Sequence, residues 1–249
     1  SRRPTYTALA DRNLYKRMHY IVRQHNGGRT PWSVAHCSGT HMMEVLSPFT
    51  VFLTGEHLYS GYFLKDSELL PPPEDRLYYY SYTLPIDRVK MEFYRQWGSV
   101  IAWLPCLKNQ RDIMTKVEPT RDLLSRIQHG DVIIWPLWCN SKEVHKTWKF
   151  REEFEIGNPE VKFVPYWDNS LINSQDADFA VSYYVQKNHY LVIVSSLKRE
   201  AAEINLTFDK SVLIKSVKNA ETLTDIQTNQ NQIKLQVKRN DYTVLRINY

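Results

Sequence analysis

The chain has little of what several protein classes require. Cysteine occurs three times in 249 residues, at Cys37, Cys106 and Cys139. That is too few for a disulfide framework and too scattered for a zinc site. The odd count leaves at least one thiol free or bonded to another chain. No run of about 18 apolar residues occurs, so no transmembrane helix is expected. Basic residues never form a block longer than three, and the net charge of +5 is spread thinly. A nucleic-acid binder would carry a denser basic patch. The opening Ser1-Arg2-Arg3-Pro4 is charged from the start, and no signal-peptide pattern is read there.

What is present supports a packed core. The chain is 43% hydrophobic and 24% charged, and aromatics reach 13%, with 7 Trp and 16 Tyr. Composition breaks near residue 168. All 7 Trp, 8 Gly, 12 Pro and 3 Cys lie at or before Trp167, and only His189 of the eight histidines follows it. This predicts two units, 1–167 and 168–249, joined near Asn158–Asp168.

The second unit reads as β. Phe179, Val181, Tyr183 and Val185 alternate with Ala180, Ser182 and Tyr184. Further strands are expected at Tyr190–Ser195, Glu203–Phe208, Val212–Val217, Ala220–Ile226, Ile233–Val237 and Tyr242–Ile247. Short strands with frequent turns indicate a small antiparallel β-sandwich.

The first unit alternates helices and short apolar strands, the rhythm of a parallel α/β fold. Helices are expected at Ala8–Gln24, Asp87–Gly98 and Pro119–His129. Strands are expected at Trp32–Cys37, Phe49–Leu53 and Ser99–Leu104, with a last extended piece at Val132–Trp138. A closed eight-stranded barrel takes about 250 residues. The 167 residues here hold at most half of one.

In such sheets functional groups sit just past the C-terminal ends of strands. That places His36 and His41 after the first strand and Glu56 and His57 after the second. Glu56 follows a Gly at a strand end, where a carboxylate can be aimed into a cleft as acid, base or ligand of sugar hydroxyls. The bland alternative is a Glu that caps backbone N–H groups. The histidines have poor spacing for a metal site, and no cofactor is called for. Trp32, Trp135 and Trp138 could stack on sugar rings, although the core is the usual place for such side chains. Asp131 stands at the start of the last extended piece, where it reads first as structural, tying down that strand. The Tyr78-Tyr79-Tyr80 run after Pro71-Pro72-Pro73 reads as a stiffened arm over the site or against a partner. Asn205-Leu206-Thr207 is a glycosylation sequon.

Several of these stretches carry a resemblance. The helix at 12–28, the run Trp32–Ser38, Leu46–Thr50, Thr54–His57, Gln96–Pro105 and Leu123–Asp131 are similar to the late strands of glycoside-hydrolase-like barrels. These barrels are related to the family 123 N-acetylgalactosaminidases. The tail resembles the β-sandwich that follows barrels in many glycosidases. The resemblance implies the C-terminal part of a (β/α)8 TIM-type barrel followed by a small antiparallel β-sandwich. It marks His36, Glu56 and Asp131 as cleft residues. Family 123 enzymes use an adjacent Asp-Glu pair, one to orient the substrate acetamide and one as general acid. This chain has no Asp-Glu dipeptide; Glu74-Asp75 is reversed.

Two functions are therefore carried forward. One is the C-terminal chain of a secreted or cell-surface glycoside hydrolase, acting on a glycan and completed by a separate N-terminal chain. The other is a catalytically inactive carbohydrate-binding or structural protein of the same fold.

Overall fold

The computed structural model describes residues 7–36, 43–56, 71–93, 99–105 and 112–249. Its first half is built on a parallel sheet of four strands: β1 (Val34–His36), β2 (Val51–Thr54), β3 (Val100–Trp103) and β4 (Ile133–Ile134), hydrogen-bonded in chain order. The helices are α1 (Ala8–His25), α2 (Met43–Leu46), α3 (Tyr79–Thr83), α4 (Ile86–Phe93), α5 (Val117–Ile127) and α6 (Ser141–Glu153).

Register sorts the strands' side chains onto two faces. Phe52, Thr54, Ile101, Trp103 and Ile134 share one face; His36, Leu53, Ala102 and Ile133 share the other. The first face is covered by α4 and α5, which bury Val89, Phe93, Leu123, Leu124 and Ile127 against it. Each such apolar side chain is worth about 1.5–3 kcal/mol.

The rest of the chain forms two antiparallel sheets. One runs β10 (Ser216–Asn219), β13 (Tyr242–Asn248), β8 (His189–Ser196), β7 (Phe179–Gln186), β5 (Lys162–Val164). The other runs β11 (Thr228–Asn229), β12 (Gln232–Val237), β9 (Ala202–Phe208), β6 (Ile172–Asn173). Val181, Tyr183, Val192, Val194 and Leu245 meet Ile204, Leu206, Ile233 and Leu235 between the sheets. The alternate residues Tyr184, Leu191, Ile193, Tyr242 and Val244 turn the other way and share one core with α4 and α5. The five-stranded sheet is thus buried on both faces.

The structure departs from the sequence-based expectations at definite places. β5 pairs with β7 although it precedes residue 168, so the antiparallel part begins earlier than the composition break. Residues 220–226 form no strand. Asn219 Oδ1 accepts from the Glu221 and Thr222 amides at 2.8 and 3.0 Å, and Leu223 takes a left-handed φ of 62°. The tyrosine run is not an exposed arm: after a 3-10 turn at Pro73–Tyr78, Tyr79 and Tyr80 are buried in the core. Asp75, of the reversed acidic pair, is also buried. It accepts from Tyr82 Oη at 2.5 Å and pairs with Arg239, so it is spent on structure. The Tyr82 hydrogen bond leads the effects that lower its pKa.

Candidate functional site

All four parallel strands point their C-terminal ends to one edge, and His36, Glu56, Trp135 and Trp138 follow there. His36 is the last residue of β1 and Glu56 lies two residues past β2. His36 Nε2 stands 3.2 Å from Glu56 Oε2, with the imidazole about half exposed and the carboxylate about a quarter exposed. Gly55 makes this placement possible. Its φ is 110°, and a Cβ there would lie 2.6 Å from the Leu104 carbonyl and 3.0 Å from the Trp103 indole. Only glycine lets the chain turn so tightly over Trp103 and send Glu56 to the edge.

An apolar cluster reaches the pair's edge of the sheet through Leu53. Leu53 is opposite His36 in register and packs with Leu104, Trp135 and Trp138. The Trp135 amide donates to the Trp103 carbonyl at 2.7 Å, which carries β4 pairing one residue past the strand. Trp138 sits in the left-handed region at φ 57°, a costly backbone state for a bulky residue. Both indoles are half-buried. The result is a carboxylate paired with an imidazole at the strand ends, with Trp135 and Trp138 packed on Leu104 past the ends of β3 and β4. A carboxylate accepts hydrogen bonds from hydroxyls, and aromatic faces cover apolar C–H surface.

The remaining described candidates fall elsewhere. His41 and His57 lie outside the described residues. Trp32 is 75% exposed but precedes β1, at the N-terminal edge of the sheet, so the structure does not bring it to Glu56. Asp131 likewise precedes β4. There it accepts from Arg151 Nη2 at 2.8 Å and from Tyr184 Oη, tying α6 and β7 together. Burial of these partners leaves Asp131 a structural task rather than a place in the cleft. Asn205 is exposed in the middle of β9. Among the described residues no three His, Cys, Asp or Glu side chains gather as metal ligands. Burial pushes the Cys139 thiol up to about 12, far from a reactive thiolate.

Sequence reasoning missed the apolar floor residues Leu53 and Leu104, and it missed a large polar cleft. That cleft, about 540 Å³, lies between α5, α6 and the last strands. At its centre Arg121 donates to Glu143 at 2.8 Å, Glu221 at 3.0 Å and the Tyr242 carbonyl at 2.8 Å, and it pairs with Asp241. These charges satisfy one another across elements up to 120 residues apart, so no local motif announces them. The cleft is a joint between the two halves of the chain.

No protein-family description matches the chain, and no curated protein matches it. Solved structures do. A glycoside hydrolase family 30 subfamily 8 xylanase from Clostridium acetobutylicum aligns with a TM-score of 0.52 at 13% identity, over 98% of this chain and 62% of that one. Alpha-galactosidase I from Mortierella vinacea aligns with a TM-score of 0.52 at 12% identity, over 98% and 64%. An alpha-amylase from Geobacillus thermoleovorans aligns with a TM-score of 0.52 at 10% identity, over 96% and 57%. The chain spans less than two thirds of the length of each of these three. At such identities the likeness is one of fold, and the fold is glycoside-hydrolase-like.

Proposed function

We propose that the chain is the C-terminal part of a glycoside-hydrolase-like protein that holds a glycan at the C-terminal edge of β1–β4. In this reading the four strands are part of a (β/α)8 barrel, and a separate N-terminal chain supplies the rest. The observation that carries it is the His36–Glu56 pair at 3.2 Å at the C-terminal edge of the parallel strands. Glu56 takes sugar hydroxyls as acceptor, His36 fixes its orientation, and the indoles cover a ring face. The relation to the family 123 group rests on the sequence resemblance and directs attention to N-acetyl-hexosamines.

Hydrolysis of a glycosidic bond uses two carboxyl groups flanking that bond. Glu56 supplies one carboxylate at this edge, so in this reading turnover requires a second one, from the completing strands. A glycan-binding protein without turnover is the second reading, favoured by the lack of any Asp-Glu dipeptide in the sequence. The exposed Asn205 sequon fits secretion or display at the cell surface.

The test is twofold. Oligosaccharide binding is followed by tryptophan fluorescence, and aryl N-acetyl-hexosaminide cleavage is assayed in parallel. Loss of at least about tenfold in affinity in Glu56→Gln is expected, since a charged hydrogen bond is worth roughly 1.5–3 kcal/mol. Wild-type protein that binds no glycan at all, or a Glu56→Gln variant with unchanged affinity, overturns the proposal. Cleavage that disappears in Glu56→Gln selects the enzyme; binding without cleavage selects the second reading.

A further inference from the structure

The polar cleft around Arg121 stands at the same end of the parallel sheet as Glu56, and chain order fixes this. α5 leaves β3 and enters β4, two parallel neighbours, so it runs against them. Its first turn, with Glu118, is therefore at the level where β3 ends. α6 follows β4, so its first turn, with Glu143, is at that end too. Both turns line the cleft.

A line of contacts joins the two places. Leu53 of β2 clusters with Leu104, Trp135 and Trp138. Two residues past Trp138, the Asn140 amide donates to Thr120 Oγ1 at 2.8 Å, and the Asn140 side chain donates to the Thr115 carbonyl at 2.7 Å. The same side chain caps α6 by accepting from the Glu143 amide. Glu143 in turn accepts from Arg121 at 2.8 Å. The contacts therefore run from the strand ends through the two indoles to the cleft.

The cleft suits a neutral ligand rich in hydroxyls. Four basic and four acidic side chains line it, so it offers an ion no net attraction. Its acceptors are fixed in advance, because Arg121 holds Glu143, Glu221 and Asp241 in place. Asp241 Oδ1 takes both Arg121 Nε and the Tyr242 amide, which leaves Oδ2 with no donor among the described residues. At the rim Glu118, Gln236 and Lys238 are exposed and make no side-chain hydrogen bond or ion pair among the described residues. Carboxylates accept from sugar hydroxyls, and amide and ammonium groups donate to them. The volume of about 540 Å³ is that of a ligand pocket. We infer that the cleft is a distal subsite for the glycan held at the Glu56 edge, and that the ligand is a neutral chain of several sugar units, not a single sugar. This rests on the glycan reading of that edge. Glu56 meets one end of the chain, the Arg121 cleft receives the other, and the Trp135–Trp138 cluster lies between.

The test is calorimetric titration of the full 249-residue chain. The probes are xylohexaose, chitohexaose and maltohexaose, each compared with its monosaccharide. At least one hexasaccharide is expected to bind at least about tenfold more tightly than its monosaccharide. In a Gln236→Ala/Lys238→Ala double variant that ratio should fall about three- to tenfold, because hydrogen bonds to the distal units are lost. Glu118→Gln supplies an independent loss of the same kind. None of these three side chains ties elements of the fold together, and an unchanged Tm serves as the folding control.

Hexasaccharides that bind no better than their monosaccharides overturn the inference. So does a ratio that stays the same in both rim variants. Glu56→Gln separates the two readings. If it leaves hexasaccharide affinity intact while the rim variants lower it, the edge reading fails and the shared chain fails with it. If it lowers affinity while the rim variants do not, the edge stands and only the distal subsite is withdrawn.

Discussion

His129 Nδ1 lies 2.7 Å from the Ser182 hydroxyl, across the seam between the 3-10 turn that follows α5 and strand β7. Its other ring nitrogen lies 2.9 Å from the Ser195 hydroxyl on β8. The ring is fully buried, and burial, aided by the charge of Arg126, pulls its pKa down to about 3. A neutral imidazole can serve one serine as donor and the other as acceptor, which suits two hydroxyls.

This predicts an acid-sensitive fold. An unfolded histidine takes up a proton near pH ~6.5, which the folded ring refuses until about pH 3. Stability is therefore full above about pH 6.5 and falls as pH drops, by up to about 1.4 kcal/mol per pH unit. Asp122 works the other way, because burial raises its pKa to about 6 and the folded state keeps that proton. Its displacement is the smaller, so the histidine dominates. Urea unfolding at about pH 7 and about pH 4.5 should show a clear loss in wild type and a smaller pH difference in His129→Gln. Equal pH dependence in the two proteins would rule out this role.

Asp131→Asn should lower stability by about 1–3 kcal/mol, because Arg151 and Tyr184 lose their charged acceptor. Glycan affinity should not change, since Asp131 lies at the N-terminal edge of the sheet. A variant with normal stability and weakened glycan binding would restore Asp131 to the cleft.

Gly55→Ala combines a positive φ with a Cβ placed 2.6 Å from the Leu104 carbonyl. A cost of about 2 kcal/mol or more is expected, a fall of several degrees in Tm. Glu56 shifts with its neighbour, so glycan affinity should fall as well. Unchanged Tm and affinity would show that the turn is not needed.

Arg121→Met leaves Glu143, Glu221 and Asp241 facing one another with no guanidinium between them. Removing one partner of a buried ionic cluster costs about 3–5 kcal/mol. Arg121→Lys should recover only part of this, since an ammonium cannot fork between the carboxylates. Chemical denaturation of both variants decides the matter; a harmless Arg121→Met would show that the cluster contributes nothing.

The parts of the fold legible in sequence were those with a local signal. The alternation in Phe179–Val185 marked β7, and apolar runs ended by Thr54-Gly55 or followed by Pro105 marked β2 and β3. α6 was not read, because its buried face is thin: Val144, Thr147 and Phe150 among charged residues. Its one clear signal is Asn140, whose side chain accepts from the Lys142 and Glu143 amides. The burial of Tyr79 and Tyr80 depends on α5 and on distant strands, which no window of sequence contains. At the site, Glu56 and His36 were legible from their place at strand ends. Trp32 and Asp131 were read at the starts of their strands, and the structure holds them at that end, away from Glu56.

Tyr184, Leu191 and Val244 on the antiparallel side and Leu123, Leu124 and Ile127 on the helical side lie in a single apolar cluster. Neither half can melt while the other stays intact without wetting that cluster. Heating should therefore give one calorimetric peak, and a protease cut near residue 168 should yield insoluble pieces instead of two well-behaved fragments.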